Sequence, residues 1–100
     1  MIKHIVMWKL KDQAEGNDKQ ANALLMKEKL DAIADLVPGM LKLEVGIDMG
    51  LDAASFDVVL YSEFEDKDAL AAYQVHPEHK AVFPFIGAVR ESRFAVDYTV

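Results

Sequence analysis

Four stretches of the chain alternate apolar and polar residues with a period of two, which predicts four β-strands. They cover residues 2–10, 41–47, 56–64 and 93–98. Apolar residues recur every three or four positions from residue 19 to 37, which predicts an amphipathic helix that Asn17 or Asp18 caps and Pro38-Gly39 ends. A second helix is predicted over residues 68–75, and the prolines that follow it should divide the next segment into short pieces.

The order of these elements is β-α-β-β-α-β, which is the split βαβ arrangement of ferredoxin-like folds. It predicts an α+β fold in which a four-stranded antiparallel sheet carries both helices on one face. A chain of 100 residues has the length of one domain and leaves no material for a second core. We therefore expect a single domain over residues 1–100.

The predicted strands are apolar on both faces, although the helices can cover only one. In the first strand, His4, Val6 and Trp8 share the face that should pack against the helices. On the other face we place Ile5, Met7, Val59, Tyr61 and Ala95 at the centre, and Lys3, Lys9, Asp57 and Glu63 nearer the strand ends. A sheet face exposed to water is normally polar. An apolar centre with a charged margin is typical of a buried interface, so we predict a homodimer joined sheet to sheet.

Charge and composition exclude several classes of partner. The net charge is −6 and the 11 basic residues are scattered, whereas nucleic acid binding needs clustered Lys and Arg. The first apolar stretch is short and broken by Lys3, His4 and Lys9, unlike a membrane span or a signal peptide. We expect a cytoplasmic protein with neither nucleic acid nor membrane as a partner.

The same composition removes most cofactor chemistry. The chain contains no cysteine, so it has no disulfide, thiolate nucleophile or Cys-based metal site. His76 and His79 are separated by a proline, and this spacing does not place both rings on one helix face as zinc motifs do. No phosphate-binding loop or dinucleotide fingerprint is present. We predict no metal and no cofactor.

Three histidines and a tyrosine are the candidates for chemistry. Imidazole exchanges protons near neutral pH, and a nearby phenol can orient a carbonyl or stabilise an enolate. We assign His79, Tyr73 and His4 to the catalytic set and His76 to substrate binding. Apolar walls for a small hydrophobic ligand should come from Val6, Trp8, Leu60, Phe83 and Phe94. On these residues alone, a structural role, with His76 capping a helix and Tyr73 packing, is equally open.

Several motifs resemble the stress-responsive A/B barrel (Dabb) family along essentially the whole chain. They are the start Met1-Ile2-Lys3-His4-Ile5-Val6, Val37-Pro38-Gly39, Glu44-Val45-Gly46, Phe64-Glu65-Asp66, the run from Ala72 to His79, and Val96-Asp97-Tyr98. The most specific of them is Tyr73-x-x-His76-Pro77-x-His79. The resemblance implies a ferredoxin-like protomer that dimerises through its sheet into an α/β barrel.

The resemblance also implies a kind of chemistry. Most Dabb members have no assigned reaction, but a few plant members are polyketide cyclases that perform an intramolecular aldol condensation without a cofactor. The positions that correspond to their acid–base pair are Tyr73 and His79, and His4 corresponds to their N-terminal pocket histidine. Three hypotheses follow: a cofactor-free cyclase or lyase acting on a hydrophobic carbonyl compound, a non-enzymatic stress-associated dimer, and a cofactor-independent monooxygenase.

Overall fold

The computed structural model describes residues 1–100, and its centre is a four-stranded antiparallel sheet in the order β4-β5-β1-β6. The strands are β1 (Ile2–Leu10), β2 (Gln13–Ala14), β3 (Asn17–Asp18), β4 (Met40–Ile47), β5 (Val58–Phe64) and β6 (Arg90–Thr99). The helices are α1 (Lys19–Asp31), α2 (Lys67–Val75), α3 (Pro77–Lys80) and α4 (Phe83–Val89). This order and pairing confirm the predicted ferredoxin-like α+β fold.

The hydrophobic core lies between one face of the sheet, the covered face, and the helices. Along β1 and β5 every second residue is buried, as the period of two predicts. Val6 and Trp8 of β1 and Phe64 of β5 are 2%, 4% and 0% exposed. The fully buried Met26 and the nearly buried Leu30 of α1 belong to the same core. None of the four helices has the length and apolar content needed to cross a bilayer.

Helix α1 begins as predicted but ends earlier. Asp18 is its N-cap, and the carboxylate of this residue accepts a hydrogen bond from the amide of Ala21 at 2.8 Å. The predicted helix reached residue 37, whereas α1 ends at Asp31. Tight turns follow, and Asp35 adopts a left-handed backbone conformation with φ 61°. Ile33 still reaches the core from these turns, which explains why its spacing resembled a continuing helix.

A two-residue hairpin before α1 was missed by the sequence analysis. Strands β2 and β3 pair through a turn in which Glu15 and Gly16 both have positive φ, the conformation of type I′ hairpin turns. The Nδ2 of Asn22 donates to the carbonyl of Ala14 at 3.0 Å and so attaches the hairpin to α1. Strands of two residues are too short to produce an alternation pattern.

Three short helices follow β5, and their bounds agree with the predicted effect of the prolines. Asp66 caps α2 by accepting from the amide of Ala69 at 2.9 Å. His76 ends α2 in an extended conformation, as expected for a residue before proline. Pro77 then begins α3, and Pro84 lies in the first turn of α4, where proline is tolerated.

Strand β6 corrects the predicted membership of the other sheet face, the open face. In the register with β1, Ala95 lies opposite Val6 and Phe94 lies opposite Met7. Directly opposed residues share a face, so Ala95 belongs to the covered face. The open-face residues of β6 are Phe94, Val96 and Tyr98, which are 57%, 52% and 41% exposed. The open face is therefore more apolar than predicted.

One charged residue of the predicted margin, Asp57, also connects the sheet to a helix. The Asp57 carboxylate accepts a hydrogen bond from the amide of Leu10 at 2.7 Å and lies 3.7 Å from the ammonium of Lys19. Asp57 precedes β5 and so is not bound by the alternation of that strand. It ties the start of α1 to the end of β1 and also lies beside the open-face residues Met7 and Val59.

Candidate functional site

A cavity of about 480 Å³ lies between the covered face and the helices. Strands β1 and β5 supply its floor, residues of all four helices contribute to its walls, and the start of β6 completes it. Seven of the nine predicted site residues line this cavity: His4, Val6, Trp8, Leu60, Tyr73, His79 and Phe83. The fold thus brings together residues that lie up to 79 positions apart in the chain.

Tyr73 and His79 form an aromatic pair in the cavity wall. Tyr73 is on the inner face of α2, and the turn at Pro77 directs the chain back so that His79 of α3 lies over the phenol ring. The ring centroids are 4.3 Å apart at an interplanar angle of 45°. Phe64 packs against Tyr73 with ring centroids 5.4 Å apart, and Phe83 meets His79 edge-on at 4.8 Å. These contacts fix both polar rings by packing.

The environment of His79 favours a neutral imidazole. Burial lowers the pKa of His79 below its ordinary value of 6.5, and the positive charges of His4, Arg93 and His76 act in the same direction. Its Nδ1 lies 3.3 Å from the carbonyl oxygen of Gln74. A carbonyl can only accept, so Nδ1 is the donor and Nε2 carries the lone pair of a base.

The hydroxyl of Tyr73 is buried and has no hydrogen-bond partner within the protein. Burial raises the pKa of Tyr73 well above its ordinary value, so the phenol keeps its proton and acts as a donor. The Nε1 of Trp8 is a second buried donor without a partner. An unsatisfied buried polar group costs about 1–3 kcal/mol, so a ligand oxygen that accepted from either donor would relieve that cost.

His4 occupies the middle of β1 and is paired with Asp97 of β6, a residue that the sequence analysis did not assign to the site. Asp97 lies directly opposite His4 in the register, and its carboxylate contacts the His4 Nδ1. The Ser62 hydroxyl donates to the His4 carbonyl at 2.8 Å. A carboxylate at Nδ1 orients the ring and leaves Nε2 as the acceptor of the neutral form. Assigning Asp97 correctly to the covered face would have revealed this pair.

Two predicted binding residues lie outside the cavity. His76 caps α3, and its Nδ1 accepts from the amide of Glu78 at 3.1 Å. Its ring is engaged by the start of α3, so it does not face the ligand space. Phe94 packs on Phe56 with ring centroids 5.5 Å apart, on the open face of the sheet. His76 lies outside the cavity because it caps α3, and Phe94 lies outside it because the register of β6 places its side chain on the open face.

The remaining lining residues were not predicted. They are Leu30, Gln74, Ile86, Gly87, Arg90 and Arg93. Leu30 and Ile86 are buried core residues that also reach the cavity. Arg90 lies before residue 93, where the predicted strand began, and Arg93 shares the face of β6 that was predicted to lie on the other side of the sheet.

The fold and the site define this chain as a ferredoxin-like α+β protein with a cavity that contains histidine and tyrosine side chains on the helix-covered face of its sheet. The model of the family described as Stress responsive A/B Barrel Domain, or Dabb, matches residues 2–100. The chain belongs to the Dabb family. The resemblance seen in its motifs is therefore confirmed.

The chain is similar to the stress-response A/B barrel domain-containing protein DABB1 of Arabidopsis thaliana. The two are 29% identical over an alignment of 101 positions, which covers 98% of this chain and 46% of that protein. A second stress-response A/B barrel domain-containing protein of Arabidopsis thaliana is 33% identical over 82 residues, or 82% of this chain and 30% of its own length. The chain thus spans less than half the length of these curated relatives.

Solved structures with the same fold include one at 34% sequence identity, a dimeric protein of unknown function and ferredoxin-like fold from Bacteroides fragilis. Its TM-score is 0.85, and the match covers 99% of this chain and 95% of that one. A hydroxynitrile lyase from Passiflora edulis is 20% identical with a TM-score of 0.77 and coverage of 99% and 92%. An antibiotic biosynthesis monooxygenase is 18% identical with a TM-score of 0.75 and coverage of 100% and 98%. At these lower identities the likeness shows the fold alone.

Proposed function

We propose that the cavity binds a small hydrophobic carbonyl compound and catalyses a cofactor-free acid–base reaction of the aldol or cyclase type. The observation that carries this proposal is the Tyr73–His79 pair. It combines a buried hydroxyl donor that has no partner in the protein with a neutral imidazole 4.3 Å away, centroid to centroid. A base and an electrophilic donor held together in a mostly apolar cavity are what proton abstraction next to a carbonyl requires.

In the proposed reaction, His79 Nε2 takes a proton from the carbon beside the ligand carbonyl. The electron pair moves onto the carbonyl oxygen, and the Tyr73 hydroxyl donates a hydrogen bond to the resulting enolate. The enolate carbon then forms a bond to a second carbonyl carbon of the same molecule. The alkoxide formed there takes the proton back from His79, so the step is balanced without a cofactor. His4, oriented by Asp97, accepts a hydrogen bond at Nε2 from the hydroxyl group formed there.

We further propose that the chain is a homodimer joined through its open face. The exposed apolar residues of that face are Met7 and the three from β6, and they lie on adjacent strands. Side chains of this size exposed together mark an interaction surface. The Bacteroides fragilis protein, at 34% identity, is described as dimeric. Association sheet to sheet leaves the cavity accessible, because the cavity opens on the opposite face of the sheet.

Exchange of the protons beside the carbonyl of butyrophenone in D₂O, followed by proton NMR, tests the chemistry without knowledge of the natural substrate. We expect the protein to accelerate this exchange and His79→Ala to reduce the acceleration about 100- to 10,000-fold, with Tyr73→Phe also impaired. His76→Asn is the matched control, because Asn retains the helix cap and His76 lies outside the cavity. Its exchange rate should stay near that of the unmodified protein.

The same ligand separates the enzyme from a binding protein. A ligand that prefers the folded state must raise the melting temperature. A rise in melting temperature without any accelerated exchange would contradict the catalytic role and leave a binding function. Oxygen consumption with a dihydroxyaromatic substrate in place of proton exchange would favour the monooxygenase hypothesis.

A further inference from the structure

Both arginines of the chain lie at the cavity. Of the 11 basic residues, Arg90 and Arg93 are the only arginines, and both line the cavity where β6 begins. None of the lysines lines it. Both arginine side chains are exposed, so they form the rim. In a chain with a net charge of −6, this places strongly basic groups at the entrance to an apolar cavity.

Neither guanidinium group is neutralised within the protein. The sequence contains 17 acidic residues, yet the ion pairs of the structure involve only His4, Lys19 and Lys27 as the basic partners. Asp97 shares the covered face of β6 with Arg93, but four residues of strand separate them by about 13 Å. Its carboxylate is engaged by His4. Both arginines therefore keep their full set of donors for a ligand.

Guanidinium groups match carboxylates better than lysine ammonium groups do. Arginine offers a planar fork of donors that can bind both oxygens of one carboxylate. The rest of the cavity wall is largely aliphatic and aromatic, with Val6, Trp8 and Leu60 on the sheet side. A ligand with an apolar skeleton and one carboxylate at its end is complementary to this distribution of charge.

We propose that the cavity selects carbonyl compounds that also carry a carboxylate, which Arg90 and Arg93 bind at the rim while the apolar body extends toward Tyr73 and His79. This inference rests on the proposed function and names the substrate class of the same site. It adds a consequence for the base. Burial and nearby positive charge, that of Arg93 included, hold the pKa of His79 down, and a bound carboxylate offsets that charge. An anionic ligand thus makes His79 more basic.

The test compares two ligands that differ only in the anionic end. These are 3-benzoylpropionate and butyrophenone, in which a methyl group replaces the carboxylate. We expect the acid to bind at least roughly tenfold more tightly than the ketone by calorimetry, the effect of one charge-assisted hydrogen bond. Added salt should lower the affinity of the protein for 3-benzoylpropionate and leave its affinity for butyrophenone unchanged.

The double variant R90Q/R93Q should weaken the binding of 3-benzoylpropionate to about the affinity of butyrophenone and so remove the preference for the acid. The matched control is K67Q/K80Q, which removes the same two charges from exposed positions outside the cavity and should keep the preference. Circular dichroism checks that both variants fold.

The outcomes separate this inference from the function on which it rests. Equal affinity for the two ligands in the unmodified protein, or a preference that survives in R90Q/R93Q, overturns the carboxylate assignment but leaves the apolar carbonyl site intact. A preference that K67Q/K80Q also loses would show a net-charge effect and overturn it as well. If neither ligand binds, the proposed function fails first and this inference fails with it.

Discussion

The two faces of the sheet are both apolar at their centres, yet they differ in where their polar side chains lie and whether these are buried. On the covered face, His4 and Ser62 are 4% and 0% exposed and hydrogen-bonded, and a cavity separates part of the sheet from the helices. On the open face, the polar groups lie around the apolar centre and contact each other. Lys3 and Lys42 both lie 5.6 Å from the ring centroid of Tyr61, whose hydroxyl donates to Glu63 at 2.6 Å.

This contrast indicates that the two faces suit different kinds of interaction. Buried polar groups within an apolar wall are costly unless they are hydrogen-bonded, and on the covered face His4, Tyr73 and His79 line the cavity. The open face has a large exposed apolar area without buried polar groups, which suits association. The residues of β1 alternate between the two faces, because successive side chains of a strand point in opposite directions.

The largest expected effect is a difference in the free energy of unfolding between two variants, one with a substitution on the covered face and one with a substitution on the open face. Phe64→Ala on the covered face should lower the free energy of unfolding by about 3–5 kcal/mol, because it leaves a cavity in a packed core; Phe64 is 0% exposed. Phe94→Ala on the open face should lower it far less, and by an amount that depends on protein concentration. Urea denaturation at low and high protein concentration measures both. Similar, concentration-independent losses would contradict the distinction.

The second largest expected effect is a loss of homodimer affinity. Met7→Lys places an ammonium group in the centre of the proposed interface, where burying an unpaired charge is costly. We expect the dimer dissociation constant to rise at least about 100-fold while the circular dichroism spectrum stays unchanged. Sedimentation velocity measures it. Met49→Lys is the control, because Met49 is 82% exposed in the loop after β4; a variant at Met7 that stays as dimeric as this control would refute the choice of face.

The smallest expected effect is the pH dependence of the covered face. His79 has a lowered pKa, so its neutral form, the proposed base, should be retained at pH 6.5 and lost as the pH falls through the lowered value. The contribution of neutral His79 to the free energy of unfolding depends on pH in the same direction. It is fully present above the ordinary pKa of 6.5 and is lost as the pH falls through the pKa of His79 in the folded protein. Proton NMR titration of the His79 ring measures this. A midpoint above 6.5 would contradict the assignment.

Much of the fold could be predicted because it depends on local patterns. The alternation in β1 and β5, the acidic caps at Asp18 and Asp66 and the proline breaks each act over a few residues. The motif from Tyr73 to His79 could be recognised for the same reason. The end of α1 and the short hairpin could not, because each depends on positive φ angles that Asp35 and Glu15 adopt without any strong sequence signal.

The sequence by itself therefore determined the four strands of the main sheet, the helices between them, their order, and seven of the cavity-lining residues. Only the tertiary structure decided how β6 is registered against β1, and this one alignment moved Phe94 to the open face, Ala95 to the covered face and Asp97 onto His4. The physical reason is that a strand has period two, so a sequence pattern defines two faces without saying which is which. That choice is made by hydrogen bonds to a neighbouring strand that lies about ninety residues away in the chain.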